Sequence, residues 1–475
     1  MKLYESLSDL QEDLKKGTTS VKEVVQYHIS KIKENKHLNA FLEVYETEAL
    51  KNAEHVDEKI KDGDTGRLFG LVVGLKDVLC HKNHKLSCSS KILESFESQF
   101  NGTAVERLLQ EDAIVIGRQN CDEFAMGSSN ENSAYGPTRN AVDSERVPGG
   151  SSGGSAVAVQ ADMCRVSLGT DTGGSVRQPG AFCGVIGLKP TYSRISRYGL
   201  SAYASSFDTI GVFSKNISDA ATVLEIIAGE DHFDSTISKT EVPAYSRHLD
   251  FPDTPKVGYI PETLDNEGIN QEVKEATWNR INWLKDQGFE VEPVKFDLLD
   301  YVLPTYYILT TAEASSNLSR YDGVRYGHRT EGPKNLEEMY KKTRAEGFGS
   351  EVKKRIMLGT FVLSASYYDA YYTKAQKVRR LIKQKTEEML QDYEFIITPT
   401  TPDTAFKLGE KTDNQIEMYL EDLFTVQASV AGVPAISIPN GEDSGNLPIG
   451  FQIMSRDFNE SRLLAFSDYI LKNHN

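Results

Sequence analysis

The chain has 475 residues, 39% of them hydrophobic and 26% charged, which is typical of a folded globular protein and argues against extensive disorder. The 53 lysines and arginines are outnumbered by 69 aspartates and glutamates, and the formal net charge of −16 argues against a surface that binds a nucleic-acid backbone by itself. No apolar run approaches the roughly 18 residues that span a bilayer, and the N-terminal sequence MKLYESLSDLQEDL lacks the apolar segment of a secretion signal.

The five cysteines are sparsely placed and form no C-x-x-C pair. A reduced, cytoplasmic protein that does not contact a membrane fits this usage best. His81 and His84 lie between Cys80 and Cys88, but these four residues fit no standard zinc spacing, so the sequence predicts no metal site.

The first part of the chain, about residues 1–65, is predicted to be helical. Ser20 and Glu23 form a capping box, and apolar residues then recur at helical spacing. A second amphipathic helix is predicted over about residues 46–60.

Short β-branched runs bounded by glycine follow, and they predict buried strands at residues 68–79, 113–117 and 164–169. Helical stretches are predicted between and after them, at residues 103–109, 155–161 and 217–227. This alternation indicates an α/β protein with a parallel or mixed sheet.

The stretch of about residues 229–350 is more polar, and we expect a largely helical elaboration beside the core. A long helical region is predicted over 352–393. Strand character returns in three runs that should complete the sheet, at residues 395–402, 434–439 and 449–454. We find no internal repeat. The length allows one large domain or two to three smaller ones, and we expect one domain spanning residues 1–475.

The sequence VPGGSSGGSAVAVQADMCRVSLGTDTGGSVRQPG (147–180) contains two glycine-serine clusters and no histidine. Ser151 and Ser152 each match G-x-S-x-G formally, but that nucleophile motif needs a strand before the serine, and the preceding residues NAVDSERVP are polar. Neither cluster has a nucleotide-binding glycine pattern. A serine nucleophile here would therefore need a base other than histidine.

Lys76 is the best candidate base, because it ends the apolar run FGLVVGL and would lie at the mouth of a buried sheet. Burial disfavours an ammonium and lowers its pKa, and a neutral amine can accept a hydroxyl proton. The alternative is that Lys76 pairs with Asp77 or extends to the surface. A strand-end lysine together with two glycine-flanked serine loops, each opening a predicted helix, favours the base.

The lysine and the two serine loops together make the chain resemble the amidase-signature family of serine hydrolases. The resemblance lies in GLKD (74–77), GGSSGGSA (149–156) and SLGTDTGGSVRQPG (167–180), with Ser151 following Lys76 by 75 residues and Ser175 following Ser151 by 24. It implies a Ser-Ser-Lys triad in which Ser175 is the nucleophile, Ser151 the bridging serine and Lys76 the base. It also implies the amidase-signature fold, an α/β fold with a large central mixed sheet covered by helices on both faces.

Backbone N–H groups at the turn before a predicted helix can stabilise an oxyanion, each worth about 3–4 kcal/mol in comparable enzymes. The turn that precedes Ser175 supplies Thr172, Gly173 and Gly174 for this role.

Charged and hydroxyl residues beside the two serine loops are predicted to hold their shape. Asp171 and Arg177 are expected to pair across the turn, with a solvated surface pair as the alternative. Ser152 and Ser155 are expected to be helix caps rather than catalytic residues.

Three further segments, 306–327, 351–379 and 419–439, resemble those of the glutaminase subunits of aspartyl/glutamyl-tRNA amidotransferases, and this similarity covers about residues 68–454. It implies glutamine hydrolysis, with Tyr306, Arg355 and Asp422 recognising glutamine. A guanidinium suits the α-carboxylate and a carboxylate suits the α-ammonium. From sequence alone, a solvated charge on a helix is the better interpretation of Arg355, and Asp422 could likewise be plain helix surface; only the resemblance assigns them a role.

The same resemblance implies partners. The released ammonia would pass to the B and C subunits of a heterotrimer, which would bind the tRNA and use ATP and Mg²⁺ to convert Glu-tRNA(Gln) to Gln-tRNA(Gln), Asp-tRNA(Asn) to Asn-tRNA(Asn), or both. This chain itself would need no cofactor. Two alternatives stay open: a stand-alone amidase of small amides, and a scaffold subunit whose serine loops only hold phosphate.

Overall fold

Eleven strands form one mixed β-sheet in a computed structural model that describes residues 4–265, 268–411 and 415–474. In chain order these strands are β1 (Phe41–Val44), β2 (Val72–Lys76), β3 (Ile114–Gln119), β4 (Val166–Asp171), β5 (Ile186–Lys189), β6 (Thr209–Ser214), β7 (Val257–Tyr259), β8 (Val291–Pro293), β9 (Phe395–Pro399), β10 (Ala435–Glu442) and β11 (Pro448–Ser455).

The spatial order of the strands is β1-β3-β2-β4-β6-β5-β10-β11-β9-β7-β8. Strands β3, β2 and β4 are parallel neighbours, as are β9, β7 and β8, and all other neighbouring pairs are antiparallel. Every residue of β2, β3, β4 and β6 is buried, and because strand side chains alternate between faces, both faces of the sheet are covered there. The predicted α/β class with a large, covered mixed sheet is confirmed.

The α-helices of the described residues are α1 (Leu7–Lys16), α2 (Val21–Glu34), α3 (Glu46–Asp62), α4 (Thr103–Gln110), α5 (Gly153–Gln160), α6 (Arg177–Phe182), α7 (Ile217–Ile227), α8 (Pro261–Leu264), α9 (Gln271–Asp286), α10 (Leu299–Asn317), α11 (Leu336–Gly347), α12 (Ser350–Val362), α13 (Lys374–Asp392), α14 (Gln415–Leu420), α15 (Val426–Ala431) and α16 (Glu460–Asn473). Short 3₁₀ turns occur at Lys36–Leu38, Lys91–Leu93, Glu123–Ala125, Tyr245–Arg247 and Leu318–Arg320. A search of these described helices finds none with the length and apolar character needed to cross a membrane.

Several predicted elements are confirmed. Helix α2 has the capping box, with the Ser20 side chain accepting from the Glu23 N–H and the Glu23 side chain accepting from the Ser20 N–H. Helix α7 has the predicted bounds. The strands predicted from β-branched runs are β2, β3 and β4, and those predicted near the C-terminus are β9, β10 and β11.

The helical region predicted over 352–393 is found, but it is not one continuous helix, because the chain leaves helix α12 after Val362 and resumes a regular α-helix only at Lys374. Turns and a π-helical segment, Asp369–Thr373, lie between them. The intervening residues SASYY favour the helix less than the lysine- and glutamate-rich flanks do.

The polar stretch 229–350 contributes two strands as well as helices, since β7 and β8 extend the sheet beyond β9. Each has only three residues, too short to give a recognisable alternation of apolar and polar side chains. The division of the chain into one domain with N-terminal helices and a polar elaboration stays a prediction.

This topology brings the two serine clusters to the lysine. Strands β2 and β4 are adjacent and parallel, so Lys76 at the end of β2 and Asp171 at the end of β4 lie at the same edge of the sheet. Ser151 lies just before helix α5, and Ser175 lies just before helix α6.

Candidate active site

The side chain of Lys76 is fully buried and surrounded by hydroxyl groups. Its Nζ donates hydrogen bonds to Ser151 Oγ at 2.8 Å, Ser152 Oγ at 2.8 Å and Thr170 Oγ1 at 2.9 Å. Three acceptors match the three N–H groups of an ammonium. The amine therefore joins the end of β2, the loop before α5 and strand β4.

Burial lowers the pKa of Lys76 from its usual 10.5 to about 8, although the surrounding carboxylates act to raise it. Within the part of the chain that the structure describes, no carboxylate lies within ion-pair distance of Nζ. Asp77 pairs instead with Arg118, whose Nη1 lies 2.8 Å from Asp77 Oδ1. The alternative in which Lys76 pairs with Asp77 or reaches the surface is therefore wrong.

Ser152 does not act as a helix cap, and neither does Ser155. Ser152 occupies the position before α5 but makes no capping bond. Its hydroxyl donates to the Thr170 carbonyl at 3.1 Å, while that of Ser155 donates to Gln119 Oε1 at 2.9 Å. Buried strand residues, rather than the N–H groups of α5, are thus the partners of both side chains.

The two serine loops are connected through Gln178 of helix α6. The Gly150 N–H donates to Gln178 Oε1 at 2.9 Å, and Gln178 Nε2 donates to the Ser128 carbonyl at 2.8 Å. Ser175 is 8% exposed, and its hydroxyl forms no hydrogen bond to any residue that the structure describes. The structure therefore joins Lys76 to Ser151 and leaves the predicted link between Ser151 and Ser175 unmade.

The turn from Asp171 to Ser175 differs from the prediction at one N–H group. The Gly174 N–H, predicted as an oxyanion donor, is already used, since it donates to Asp171 Oδ1 at 2.9 Å. Among the described residues, the N–H groups of Thr172, Gly173 and Ser175 donate to no protein acceptor. The N–H groups that remain for an oxyanion are these three.

Asp171 and Arg177 form the predicted pair, with Nη2–Oδ1 at 2.9 Å and Nε–Oδ2 at 3.0 Å. Both side chains are fully buried, so the alternative of a solvated surface pair is wrong. Burial alone would raise the pKa of Asp171, but the charge and hydrogen bonds of Arg177, together with Lys189 and the Val176 N–H, lower it overall.

Arg177 also binds segments far along the chain. It donates to the Thr425 carbonyl at 2.7 Å, Gln452 Oε1 at 2.6 Å and Ser429 Oγ at 2.9 Å. With the two bonds to Asp171, these account for all five N–H groups of the guanidinium.

Arg355 and Asp422, the residues predicted to recognise the ends of glutamine, are buried and not solvated. Arg355 donates from Nε to Glu351 Oε1 at 2.8 Å and from Nη1 to the Tyr203 hydroxyl at 2.9 Å. Its guanidinium lies 5.5 Å from the centre of the Tyr307 ring. The alternative in which both residues are exposed helix charges is wrong.

Asp422 accepts hydrogen bonds from Ser128 Oγ at 2.7 Å and the Tyr307 hydroxyl at 3.2 Å. Burial raises its pKa to about 7. Tyr307 therefore contacts both charged residues and brings them to one region.

Tyr306 packs directly on the turn before Ser175. Its ring lies so close to Gly173 that a Cβ placed on this glycine would be only 2.5 Å from Tyr306 Cζ. Thr425 also contacts this glycine, its Oγ1 donating to the Gly173 carbonyl at 2.7 Å. The segment that carries Asp422 and helix α10, which carries Tyr306, thus both contact the turn before Ser175.

A cavity of about 240 Å³ opens beside Arg355 and is lined in part by Ser129, Lys354, Lys411 and Tyr419. The hydroxyl groups around the predicted site residues were not predicted from the sequence. They belong to Ser128, Thr170, Tyr203 and Tyr307. None of them carries a local pattern that distinguishes it from other serines, threonines and tyrosines.

A family comparison agrees with this geometry, since the Amidase family matches residues 23–464. The chain belongs to the amidase family. Two similar relatives are glutamyl-tRNA(Gln) amidotransferase A subunits. The one from Chlorobium phaeobacteroides is 49% identical over 98% of each chain, and the one from Prosthecochloris aestuarii is 48% identical over 97% of each.

Solved structures give the same picture. The glutamyl-tRNA(Gln) amidotransferase A subunit from Thermotoga maritima superposes with a TM-score of 0.78 at 39% identity, covering 95% of this chain and 92% of that one. The peptide amidase of Stenotrophomonas maltophilia gives a TM-score of 0.82 at 27% identity, covering 98% and 96%.

The buried Asp171–Arg177 pair generates a stability prediction. Arg177→Met should lower the free energy of unfolding by about 3–5 kcal/mol, because it leaves a buried carboxylate without its partner. Denaturant unfolding of the full chain measures the loss.

The control for this variant is Arg67→Met. Arg67 lies 2.6 Å from Glu225 but its side chain is 46% exposed, so about 1 kcal/mol or less should be lost. Equal losses in the two variants would contradict a special role for the buried pair.

Proposed function

We propose that this chain is the glutamine-hydrolysing subunit of a tRNA-dependent amidotransferase. The observation that carries the proposal is the buried amine of Lys76, hydrogen-bonded to Ser151 at 2.8 Å and with no carboxylate partner among the described residues. The 49% identity to a glutamyl-tRNA(Gln) amidotransferase A subunit supports it.

In the proposed reaction, Ser175 Oγ attacks the side-chain amide carbon of glutamine. Its proton passes through the Ser151 hydroxyl to the neutral amine of Lys76, and the negative charge on the carbonyl oxygen is stabilised by free N–H groups of the turn. The C–N bond then breaks, the amide nitrogen takes the proton and leaves as ammonia, and water hydrolyses the γ-glutamyl ester to glutamate. Ser175 forms no hydrogen bond to Ser151 in this structure, so the relay requires the two hydroxyl groups to come within hydrogen-bond distance when substrate binds.

Ser151 is a better proton carrier than Ser152, although both lie at the same distance from Nζ. The Ser152 hydroxyl already donates its proton to the Thr170 carbonyl. No acceptor among the described residues takes the proton of Ser151, so that hydroxyl can donate to the amine when Lys76 is neutral.

Glutamine is recognised in this proposal by Arg355 at its α-carboxylate and by Asp422 at its α-ammonium, with Tyr306 beside the reacting amide. Two of the five N–H groups of Arg355 are used by Glu351 and Tyr203. A substrate carboxylate would therefore bind through the remaining N–H groups of the two Nη atoms.

The ammonia serves partner subunits, which we propose to be the B and C subunits of a heterotrimer. There ATP and Mg²⁺ would activate Glu-tRNA(Gln), Asp-tRNA(Asn) or both. The net charge of −16 is consistent with the RNA being held mainly by a partner. A cytoplasmic location belongs to the same proposal.

The relay through Ser151 predicts unequal effects of two neighbouring hydroxyl deletions. Ser151→Ala should lower kcat for glutamine by about 10²- to 10⁴-fold, the range of general acid–base catalysis. Ser152→Ala should lower it by less than about tenfold, the scale of one hydrogen bond. Ammonia release under saturating glutamine measures both, and similar losses in the two variants would argue against the relay.

The lysine base predicts an activity that rises with pH. Lys76 is charged below a pKa of about 8 and neutral above it, and Asp422 is neutral below a pKa of about 7 and charged above it. Both active forms accumulate as pH increases, so kcat/KM for glutamine should rise through this range. In Asp422→Asn the remaining rise should lie near pH 8. If kcat/KM of the Asp422→Asn variant instead rose around the usual histidine pKa of about 6.5, Lys76 would be excluded as the base.

The choice between glutamine and small amides is tested at Arg355. Arg355→Ala should raise KM for glutamine by about 10- to 100-fold, the scale of hydrogen bonds to a charged group, and leave the turnover of a simple amide unchanged. Lys354→Ala, which removes a neighbouring cation from the same cavity, is the matched control and should change neither.

Both variants of the Arg355 test are assayed in the chain alone and with co-expressed partner subunits. Fast turnover of simple amides by the chain alone, together with glutamine hydrolysis that is indifferent to Arg355→Ala, would favour a stand-alone amidase instead.

A further inference from the structure

We propose that Asp208 is a positioning residue that fixes the turn before Ser175 relative to Arg355. This assignment rests on the proposed glutamine hydrolysis and adds a residue to it. Asp208 stands just before strand β6, an antiparallel neighbour of β4, and so lies at the same edge of the sheet as the turn that follows β4. One oxygen of its carboxylate binds that turn. The other binds the start of a short loop, residues 203–208, which reaches Arg355.

The turn before Ser175 is tied to Asp208 through the side chain of Thr172. Thr172 is buried, and its Oγ1 donates to Asp208 Oδ1 at 2.8 Å. Because a β-branched side chain has few rotamers, fixing its hydroxyl also limits the movement of its backbone. The N–H groups of Thr172 and Gly173 are among those left for the oxyanion, so this hydrogen bond restrains two of the proposed donors.

The second carboxylate oxygen holds the start of the 203–208 loop. Asp208 Oδ2 accepts from the N–H groups of Tyr203 at 2.9 Å and Ala204 at 3.0 Å. These bonds fix the backbone of Tyr203, whose buried hydroxyl accepts from Arg355 Nη1 at 2.9 Å. The loop therefore extends the restraint from Asp208 to the residue proposed to bind the glutamine carboxylate.

A chain of hydroxyl groups leads back from Tyr203 to the turn. The Tyr203 hydroxyl donates to Thr310 Oγ1 at 3.0 Å, and Thr310 Oγ1 donates to the Tyr306 carbonyl at 2.8 Å. The Tyr306 ring packs against Gly173. Phe207, within the loop, lies edge-on to the same ring with 5.8 Å between the centroids. The loop, helix α10 and the turn therefore form a closed set of contacts.

Asp208 is a costly residue for this interior position. It is 3% exposed, and no cation among the described residues lies within ion-pair distance of its carboxylate. Arg197, the cation whose charge acts on it, pairs with Asp234 instead. Burial raises the pKa of Asp208 to about 7. A buried carboxylate without a cation destabilises a fold, and groups perturbed in this way cluster at functional sites.

Steady-state kinetics of the full chain, alone and with co-expressed partner subunits, test the proposal with glutamine and propionamide as substrates. Asp208→Ala releases both contacts, so it should lower kcat for both substrates by about 10- to 100-fold, the scale of a misplaced reacting group, and raise KM for glutamine by about tenfold. Thr172→Val keeps the shape of the side chain and should act on kcat. Tyr203→Phe loses only the hydroxyl and should act on KM for glutamine.

Two further variants separate positioning from stability. Asp208→Asn keeps an acceptor for the two N–H groups and a donor for Thr172 Oγ1, so it should restore most of the kcat lost in Asp208→Ala. The matched control is Asp219→Ala. Asp219 is a buried carboxylate that accepts from the Leu7 N–H at 2.8 Å, but it follows β6 at the opposite edge of the sheet. This variant should lower the melting temperature and leave kcat and KM unchanged.

The proposal is overturned if folded Asp208→Ala keeps the wild-type kcat and KM, or if Thr172→Val and Tyr203→Phe change the same constant. These two single-contact variants answer the question if Asp208→Ala does not fold. A wild-type chain that releases no ammonia from glutamine contradicts the proposed function instead. In that case, the kcat of Asp208→Ala for propionamide still tests the link between Asp208 and the turn.

Discussion

A buried amine with only hydroxyl partners is the constraint on which the candidate active site depends. An ammonium donates three hydrogen bonds, and Ser151, Ser152 and Thr170 supply three acceptors within 2.9 Å. A neutral amine has two N–H groups and one lone pair, so loss of the proton obliges one hydroxyl to become a donor. Had one of the three positions been a carboxylate, the charged form would be held firmly and the amine would be a poor base.

The turn before Ser175 is held by the Asp171–Arg177 ion pair, which also limits how far the Asp171 charge raises the pKa of Lys76. Asp171 acts to raise the pKa of Lys76, and an unpaired carboxylate there would favour the ammonium more strongly. Arg177 neutralises it, with every guanidinium N–H satisfied by buried oxygen atoms. The same carboxylate accepts the Gly174 N–H, which leaves the other N–H groups of the turn for the proposed oxyanion.

The sequence was most informative where chemistry lies in a short segment. Lys76 ends an apolar run, and the glycines beside Ser151 and Ser175 mark loops, but that the three residues meet in one triad was predicted from the resemblance to the amidase-signature family. Arg355 and Asp422 could be predicted only from the resemblance to the family. A charge on a helix has no local sign of burial, and theirs is decided by packing against distant segments.

The misses have the same cause. Thr170 is an ordinary strand residue in the sequence, and only the fold places it against the Lys76 amine. Tyr307 becomes part of the candidate site because it contacts Arg355 and Asp422, which follow it much later in the chain. The three-residue strands β7 and β8 depend on pairing within the sheet rather than on their own pattern.

The residues proposed to recognise the substrate and the turn before Ser175 form one packed unit. Thr425 Oγ1 donates to the Gly173 carbonyl at 2.7 Å and contacts the Asp422 carbonyl at 3.0 Å, so one hydroxyl connects the proposed ammonium-binding residue to the turn. Tyr306 fills the space above the same glycine. A glutamine held at its α-carbon by Asp422 would therefore have its side-chain amide fixed relative to Ser175 by packed atoms. A simple amide lacks the ammonium and the carboxylate, so it would gain none of this positioning.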